Sequence, residues 1–144
     1  MDRGQIRVVY INQIEDRTAE LCFMEYESMI PFLVKRVYYV HNINPGARRG
    51  YHAHKKLQQL MFCPYGSIEL ELDDGNEKVK IVLDTPNKVL ILKPGIWREF
   101  VSKKKGSVLC VLASEKYEEE DYVRDYDEFK KMVVEGYWKE FQNE

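Results

Sequence analysis

Hydrophobic and polar positions alternate in short runs along most of this chain. Ile68-Glu69-Leu70-Glu71-Leu72 is the clearest case, with apolar side chains on one face and carboxylates on the other. Asp73-Asp74-Gly75-Asn76 then predicts a hairpin turn, and Lys78-Val79-Lys80-Ile81-Val82-Leu83 the returning strand. Ile6-Arg7-Val8-Val9-Tyr10-Ile11 predicts an opening strand, and Leu21 to Tyr26 a weaker one after a polar loop from Gln13 to Thr18. Val34 to Val40 runs extended, with Arg36, Tyr38 and Val40 on one face and Lys35, Val37 and Tyr39 on the other. Further strands are predicted at Arg48 to His54, Leu57 to Cys63, Val89 to Leu92, Ile96 to Phe100 and Ser107 to Ala113. Turns fall at Asn42 to Gly46 and Pro64 to Ser67.

Many short strands divided by turn residues predict an all-β barrel or sandwich. Near the end the period changes. Tyr122, Tyr126, Phe129 and Val133 follow helical spacing, with acids before them and Lys130 and Lys131 later. The expectation is one domain over residues 1–144: a β-barrel over 1–117 and a C-terminal helical segment over 118–144. The acidic run Glu118 to Asp121 reads as the solvated start of that helix.

Composition narrows the class. The chain has 144 residues, 44% hydrophobic and 12% aromatic, which suits a folded domain with a real core. The formal net charge of -2 gives no field that would favour nucleic acid. No segment approaches membrane-spanning length, and the N-terminus has no apolar export run. Cys22, Cys63 and Cys110 lie in apolar surroundings and read as reduced core residues of a cytoplasmic protein.

The candidate chemistry sits in Arg48-Arg49-Gly50-Tyr51-His52-Ala53-His54-Lys55-Lys56-Leu57-Gln58-Gln59, which holds two of the three histidines. In a strand His52 and His54 leave the same face. Two imidazoles on one face are either a metal clamp or a proton-handling pair. The frame resembles the cupin motifs: Gly50, His52, His54, a position four residues on, Gly66, and then Pro94-Gly95-Ile96-Trp97-Arg98. The metal-binding version of that frame needs a carboxylate where Gln58 stands and an imidazole where Arg98 stands. An amide and a permanent cation are poor substitutes as ligands. No metal and no cofactor are expected. Two imidazoles beside a guanidinium instead suit proton transfer next to a carbonyl, with the cation stabilising the oxyanion.

Several blocks carry a narrower resemblance: Arg36-Val37-Tyr38-Tyr39, Arg49 to Leu57, Leu83-Asp84-Thr85-Pro86, Trp97-Arg98-Glu99, and Val111 to Tyr117 continuing through Asp121-Tyr122-Val123-Arg124-Asp125-Tyr126. Together they resemble the dTDP-4-keto-6-deoxyglucose 3,4-ketoisomerases, small cupin-fold sugar isomerases of the WxcM-like group. The resemblance spans roughly residues 5 to 131. It implies a cupin-type jelly-roll β-barrel with a C-terminal α-helix, forming a strand-exchanged homodimer. It implies the substrate dTDP-4-keto-6-deoxy-D-glucose and a product with the ketone moved from carbon 4 to carbon 3. That product leads to 3-amino-3,6-dideoxy sugars. Relatives often place a glycine after the arginine or tyrosine of the early loop, which reads Glu15-Asp16-Arg17-Thr18-Ala19-Glu20-Leu21 here; with that change and Arg98, the resemblance leaves the configuration at carbon 4 open.

The implied mechanism runs through an enediol. By the resemblance His52 is the base, while spacing alone treats His52 and His54 alike. His54 shuttles hydroxyl protons or orients the sugar. Arg98 or a tyrosine, with Tyr39 the candidate, stabilises the oxyanion. Arg36, Arg49 and Arg124 are the cations for the diphosphate. Against that role, Arg124 has Asp121 and Glu120 as rival ion-pair partners. Tyr38, Gln59 and Arg17 complete the substrate-binding set; of Tyr38 and Tyr39, at most one faces the cavity and the other is core. His41 reads as surface, Trp97 as packing, and Glu99 as an outer ion pair. A 3,5-epimerase on the same fold is the alternative enzyme, and it pairs its base with an aspartate for which no block stands here. A catalytically silent sugar-nucleotide-binding cupin is the non-enzymatic alternative.

Overall fold

The computed structural model describes residues 2–142. Among the described residues, thirteen β-strands precede or flank the helical tail. They are β1 (Asp2–Arg3), β2 (Ile6–Tyr10), β3 (Asn12–Glu15), β4 (Glu20–Phe23), β5 (Arg36–Val40), β6 (Arg48–His54), β7 (Gln59–Tyr65), β8 (Ile68–Asp73), β9 (Lys78–Leu83), β10 (Lys88–Leu92), β11 (Trp97–Ser102), β12 (Val108–Ala113) and β13 (Tyr122–Val123). Helix α1 covers Tyr126–Val134 and α2 covers Lys139–Gln142.

The strands form a six-stranded sheet in the order β1-β2-β10-β7-β12-β5 and a five-stranded sheet in the order β13-β6-β11-β8-β9. All pairings between named strands are antiparallel. Strand alternation divides the core into three layers. Leu90, Leu92, Met61, Cys63, Leu70, Leu72, Phe100 and Val111 fill the space between the sheets. Leu60, Val89 and Ile91 face outward and are covered by Ile30 and Phe32 of the segment before β5. Ala53 and Trp97 face outward from the other sheet and meet Phe129, Val133 and Trp138 of the helical tail. This is the jelly-roll that the strand pattern and the cupin resemblance imply.

Two elements differ from expectation. Gln13 to Glu15, read as loop, is β3, which pairs with β4 as a separate two-stranded hairpin. The Val8 to Tyr10 run of β2 pairs with Lys88 to Leu90 of β10. The helix does not start at Glu118. Glu119–Asp121 is a single 3₁₀ turn, Tyr122–Val123 is a strand, and α1 begins only after Asp125, whose carboxylate accepts from the Glu128 amide at 3.0 Å. The reason is pairing: Tyr122 and Val123 lie beside His54 and Ala53 at the open edge of β6, and ladder bonds there outweigh helical spacing.

The tail is tied down at Trp138. Its indole donates to the Lys55 carbonyl at 3.0 Å and its ring covers Gly95, where an added Cβ would sit 2.5 Å from it. The three cysteines are free. Cys63 is buried, whereas Cys22 and Cys110 are only half-buried, because Cys22 belongs to the detached hairpin and Cys110 to the outward face of β12.

Candidate active site

Strand β6 aims both histidines into the barrel, and a bulge sets the aim. Arg98 of β11 pairs with His52 and Glu99 with Gly50, so Tyr51 is an extra residue in the ladder. Gly50 takes φ 105° and Tyr51 φ 57°. A Cβ on Gly50 would lie 2.7 Å from the Arg98 carbonyl oxygen, so only glycine fits there. Beyond the bulge, His52 and His54 point inward with ring centroids 4.9 Å apart, edge to face. Tyr122 of β13 closes over both rings, at 5.0 Å from His52 and 4.6 Å from His54.

Both imidazoles are held by Nδ1. His52 Nδ1 lies 3.0 Å from the Gly50 carbonyl, and His54 Nδ1 lies 2.8 Å from Asp121 Oδ2. A carbonyl and a carboxylate only accept, so each Nδ1 carries the proton and each Nε2 keeps a free lone pair. His54 Nε2 is buried without a hydrogen-bond partner. Asp121 is itself fixed: its Oδ1 accepts from the Lys56 amide at 2.7 Å. Burial would raise its carboxyl, but the bonds from His54 and the Lys56 backbone outweigh that and hold it below the usual range. Sequence reading placed Asp121 in a solvated acidic run, and that is corrected here. It is buried, and it orients the deeper histidine. No spacing rule links residues this far apart in the chain.

Arg98 is 3% exposed. Its Nε donates to the Ile96 carbonyl at 3.1 Å and its Nη1 to Gln59 Oε1. Gln59 Nε2 in turn donates to the Tyr38 hydroxyl at 2.8 Å. The Tyr38 oxygen therefore accepts one bond and still has its own proton to give. Burial raises its pKa, which keeps that proton in place. The inward place after the His-x-His motif thus belongs to Gln59, one residue later than the Gln58 position named from spacing. Gln58 faces outward and its amide is held by Ser114. Gln59 positions Arg98 and Tyr38 but does not line the cavity, so its placement in the substrate-binding set is revised.

Tyr39 is corrected outright. It is 63% exposed on the outer face of β5, beside His41, and cannot reach the histidines. It is not core either. Tyr38, two residues from Arg36 on the inward face, takes the position proposed for it.

The cavity has two parts. A mouth of about 360 Å³ is lined by Arg36, Tyr38, Arg49, His52, Tyr122 and Arg124, among others. A narrow recess of about 40 Å³ continues inward past His52 to Arg98, between Phe100, Met61 and Leu109. Three guanidiniums therefore stand at the mouth and one at the floor. Arg36 lies 5.1 Å from the Tyr38 ring centroid, and its Nε and Nη2 are buried without hydrogen-bond partners. Arg124 lies 4.2 Å from the Tyr122 ring centroid, and its ion-pair partner is Glu119, not Asp121 or Glu120. Arg17 stays exposed in the turn between β3 and β4 and lines no part of this cavity.

Charge and burial keep both histidines neutral. Burial, then Arg98, then each other's charge push His52 down to about 3. Burial likewise takes His54 to about 4, opposed by its bond to Asp121. Arg98 is lowered by burial to about 10 and remains a cation at neutral pH. For a divalent ion the inward set offers two imidazoles, an amide and a guanidinium, a poor fit. Among the described residues, no group of three or more His, Cys, Asp or Glu is arranged to hold a metal ion.

The readings of the flanking residues hold. Trp97 packs on Tyr126 and Phe129, with ring centroids at 5.2 and 5.8 Å. Glu99 faces outward to Arg48 at 3.3 Å and His41 is exposed. His52, the base by the resemblance, has a carbonyl and not an aspartate at Nδ1, while the aspartate in the site, Asp121, holds His54.

Comparison with known proteins gives consistent matches. The sequence profile described as "FdtA: WxcM-like, C-terminal" matches residues 4–134. The TDP-4-oxo-6-deoxy-alpha-D-glucose-3,4-oxoisomerase of Aneurinibacillus thermoaerophilus is 41% identical over 128 residues, 89% of this chain and 92% of that protein. The 3,4-ketoisomerase QdtA of Thermoanaerobacterium thermosaccharolyticum, solved as a histidine-to-asparagine variant with TDP-4-keto-6-deoxyglucose, superposes with a TM-score of 0.88 at 37% identity. That match covers 91% of this chain and 95% of QdtA. The 4-keto-6-deoxy sugar epimerase NovW of Streptomyces spheroides shares the fold alone, at 16% identity and a TM-score of 0.74 over 85% of this chain and 69% of NovW.

Proposed function

The chain belongs to the family described as FdtA, WxcM-like, and from that premise we propose that it is a 3,4-ketoisomerase acting on dTDP-4-keto-6-deoxy-D-glucose. The observation that carries this reading is His52 facing the cavity with Nδ1 tied to a carbonyl, so that its Nε2 lone pair is free to accept a proton.

The diphosphate enters the mouth, where Arg36, Arg49 and Arg124 offer planar, charged donors. The unpartnered buried nitrogens of Arg36 support this, since an anion would satisfy them. The keto sugar then lies towards the recess. His52 Nε2 takes the proton from carbon 3. The carbon–hydrogen electron pair becomes the double bond between carbons 3 and 4, and the ketone oxygen takes the negative charge. Tyr38 donates its hydroxyl proton to that oxygen, and Arg98, held by Gln59, favours the charge from the floor. The resulting enediol gives its carbon 3 hydroxyl proton to the Tyr38 phenolate, that O–H electron pair becomes the carbonyl at carbon 3, and the electron pair of the carbon–carbon double bond takes a proton at carbon 4 from the His52 imidazolium, which restores both residues. His54, oriented by Asp121, supports the proton exchange from behind His52.

The product serves synthesis of 3-amino-3,6-dideoxy sugars, and the reading carries with it a cytoplasmic location. No described helix is long and apolar enough to cross a membrane. We also read the chain as a homodimer, because Leu33, Val37 and Tyr39 leave an exposed apolar strip on and beside β5. Sedimentation equilibrium checks that point.

The deciding experiment incubates the protein with dTDP-4-keto-6-deoxy-D-glucose in deuterium oxide and follows the sugar by NMR. Movement of the ketone with deuterium at carbon 4 is the expected result. Inversion at carbon 5 assigns an epimerase instead, and no exchange at all assigns a binding protein.

A further inference from the structure

The carboxylate of Glu119 grips the same guanidinium that the mouth of the cavity offers to a diphosphate. Arg124 Nε donates to Glu119 Oε1 at 2.8 Å and Nη2 to Oε2 at 3.0 Å, a two-point clasp. Tyr117 adds a third bond, its hydroxyl donating to Oε2 at 2.5 Å. Arg124 and its supporting ring Tyr122 line the cavity, whereas Glu119 does not. A carboxylate and a phosphate present paired oxygens to a guanidinium in the same way, so one Arg124 face cannot serve both at full strength.

We propose that Glu119 is an internal competitor for Arg124, setting a weaker affinity for the nucleotide diphosphate than the three arginines alone would give. This deepens the ketoisomerase reading and rests on it. On binding, the phosphate oxygens take over donors from Arg124 while Glu119 keeps its bond from Tyr117. On release, Glu119 returns to the guanidinium, which lowers the barrier to losing a dianionic product. The Glu119 carboxyl, held down at about 2 by Arg124 and Tyr117, stays ionised throughout the working range. Both side chains are about half exposed, 56% for Glu119 and 51% for Arg124, so the exchange can occur without unfolding the turn.

The test is titration calorimetry of dTDP and of thymidine, which lacks the phosphates, with wild type, Glu119→Gln, Arg124→Leu and the double variant. Glu119→Gln removes the charge and keeps an amide oxygen for Tyr117. Its dTDP dissociation constant should fall about two- to fivefold, the range of one exposed ion pair, with thymidine unchanged. The gain should shrink at high salt and vanish in the Arg124→Leu background. Unchanged or weaker dTDP binding by Glu119→Gln overturns the proposal, as does a gain that survives loss of Arg124. If wild type binds no dTDP, the ketoisomerase reading falls and this one with it. Keto transfer with normal dTDP binding and no effect of Glu119→Gln overturns this proposal alone.

Discussion

His54 Nδ1 and Asp121 Oδ2 meet at 2.8 Å in the protein interior, joining the His-x-His strand to the 3₁₀ turn that precedes β13. Neither residue is more than 5% exposed. The pair fixes which nitrogen of His54 faces its neighbour, and it couples the tail of the chain to the site.

Asp121→Asn tests that coupling. The amide can still touch Nδ1, but it can present a donor there and no longer favours a developing imidazolium. Turnover should fall by about 10²-fold, the scale of one acid–base group, while dTDP affinity stays within about twofold. An unchanged kcat would remove Asp121 from the mechanism.

Tyr38→Phe and Tyr39→Phe separate neighbours that sequence treats alike. Loss of the Tyr38 hydroxyl should lower kcat by about 10²-fold with little change in binding. It also leaves the Gln59 amide without its acceptor, so a loss of about 1–3 kcal/mol in stability should accompany it. Tyr39→Phe should be kinetically silent, because that ring is on the far side of β5. Steady-state kinetics with denaturant unfolding checks both.

The pH dependence follows from the depressed histidines. With folded values of about 3 for His52 and about 4 for His54, against ~6.5 for a free imidazole, the unfolded chain binds protons that the folded chain refuses. Their contribution to stability is complete above ~6.5 and is lost as pH falls through the folded values of about 4 and about 3. Urea midpoints should therefore drop on acidification below ~6.5, and less so in His52→Asn. Over the same range kcat/KM should stay level down to about pH 5, below which acid unfolding takes over, because the free enzyme keeps its base unprotonated. An inflection near ~6.5 would mean that the base is solvated.

Gly50→Ala tests the bulge. A methyl group 2.7 Å from the Arg98 carbonyl, on a residue with φ 105°, must push β6 away from β11. A loss of about 1–3 kcal/mol is expected, with activity falling as His52 is re-aimed. Thermal unfolding and assay on the same sample check it.

The strands, the turns and the shared face of His52 and His54 were legible in sequence because strand geometry is local: side chains two apart leave the same side. Arg98 in place of a ligand was legible for the same reason, as a matter of residue chemistry within a motif. Those local rules, with the resemblance in several blocks, were enough to reach the family and the class of reaction.

Which face of β5 looks inward was not legible, since alternation gives two faces and no inside, and so Tyr39 was named where Tyr38 belongs. Gln58 was named where Gln59 belongs because the chain leaves β6 before it enters β7, and parity does not carry across that break. Asp121 could be assigned to His54 only in three dimensions. The two meet because β13 docks on the edge of β6, and such pairing is decided by the register of distant strands, which one-dimensional spacing does not contain.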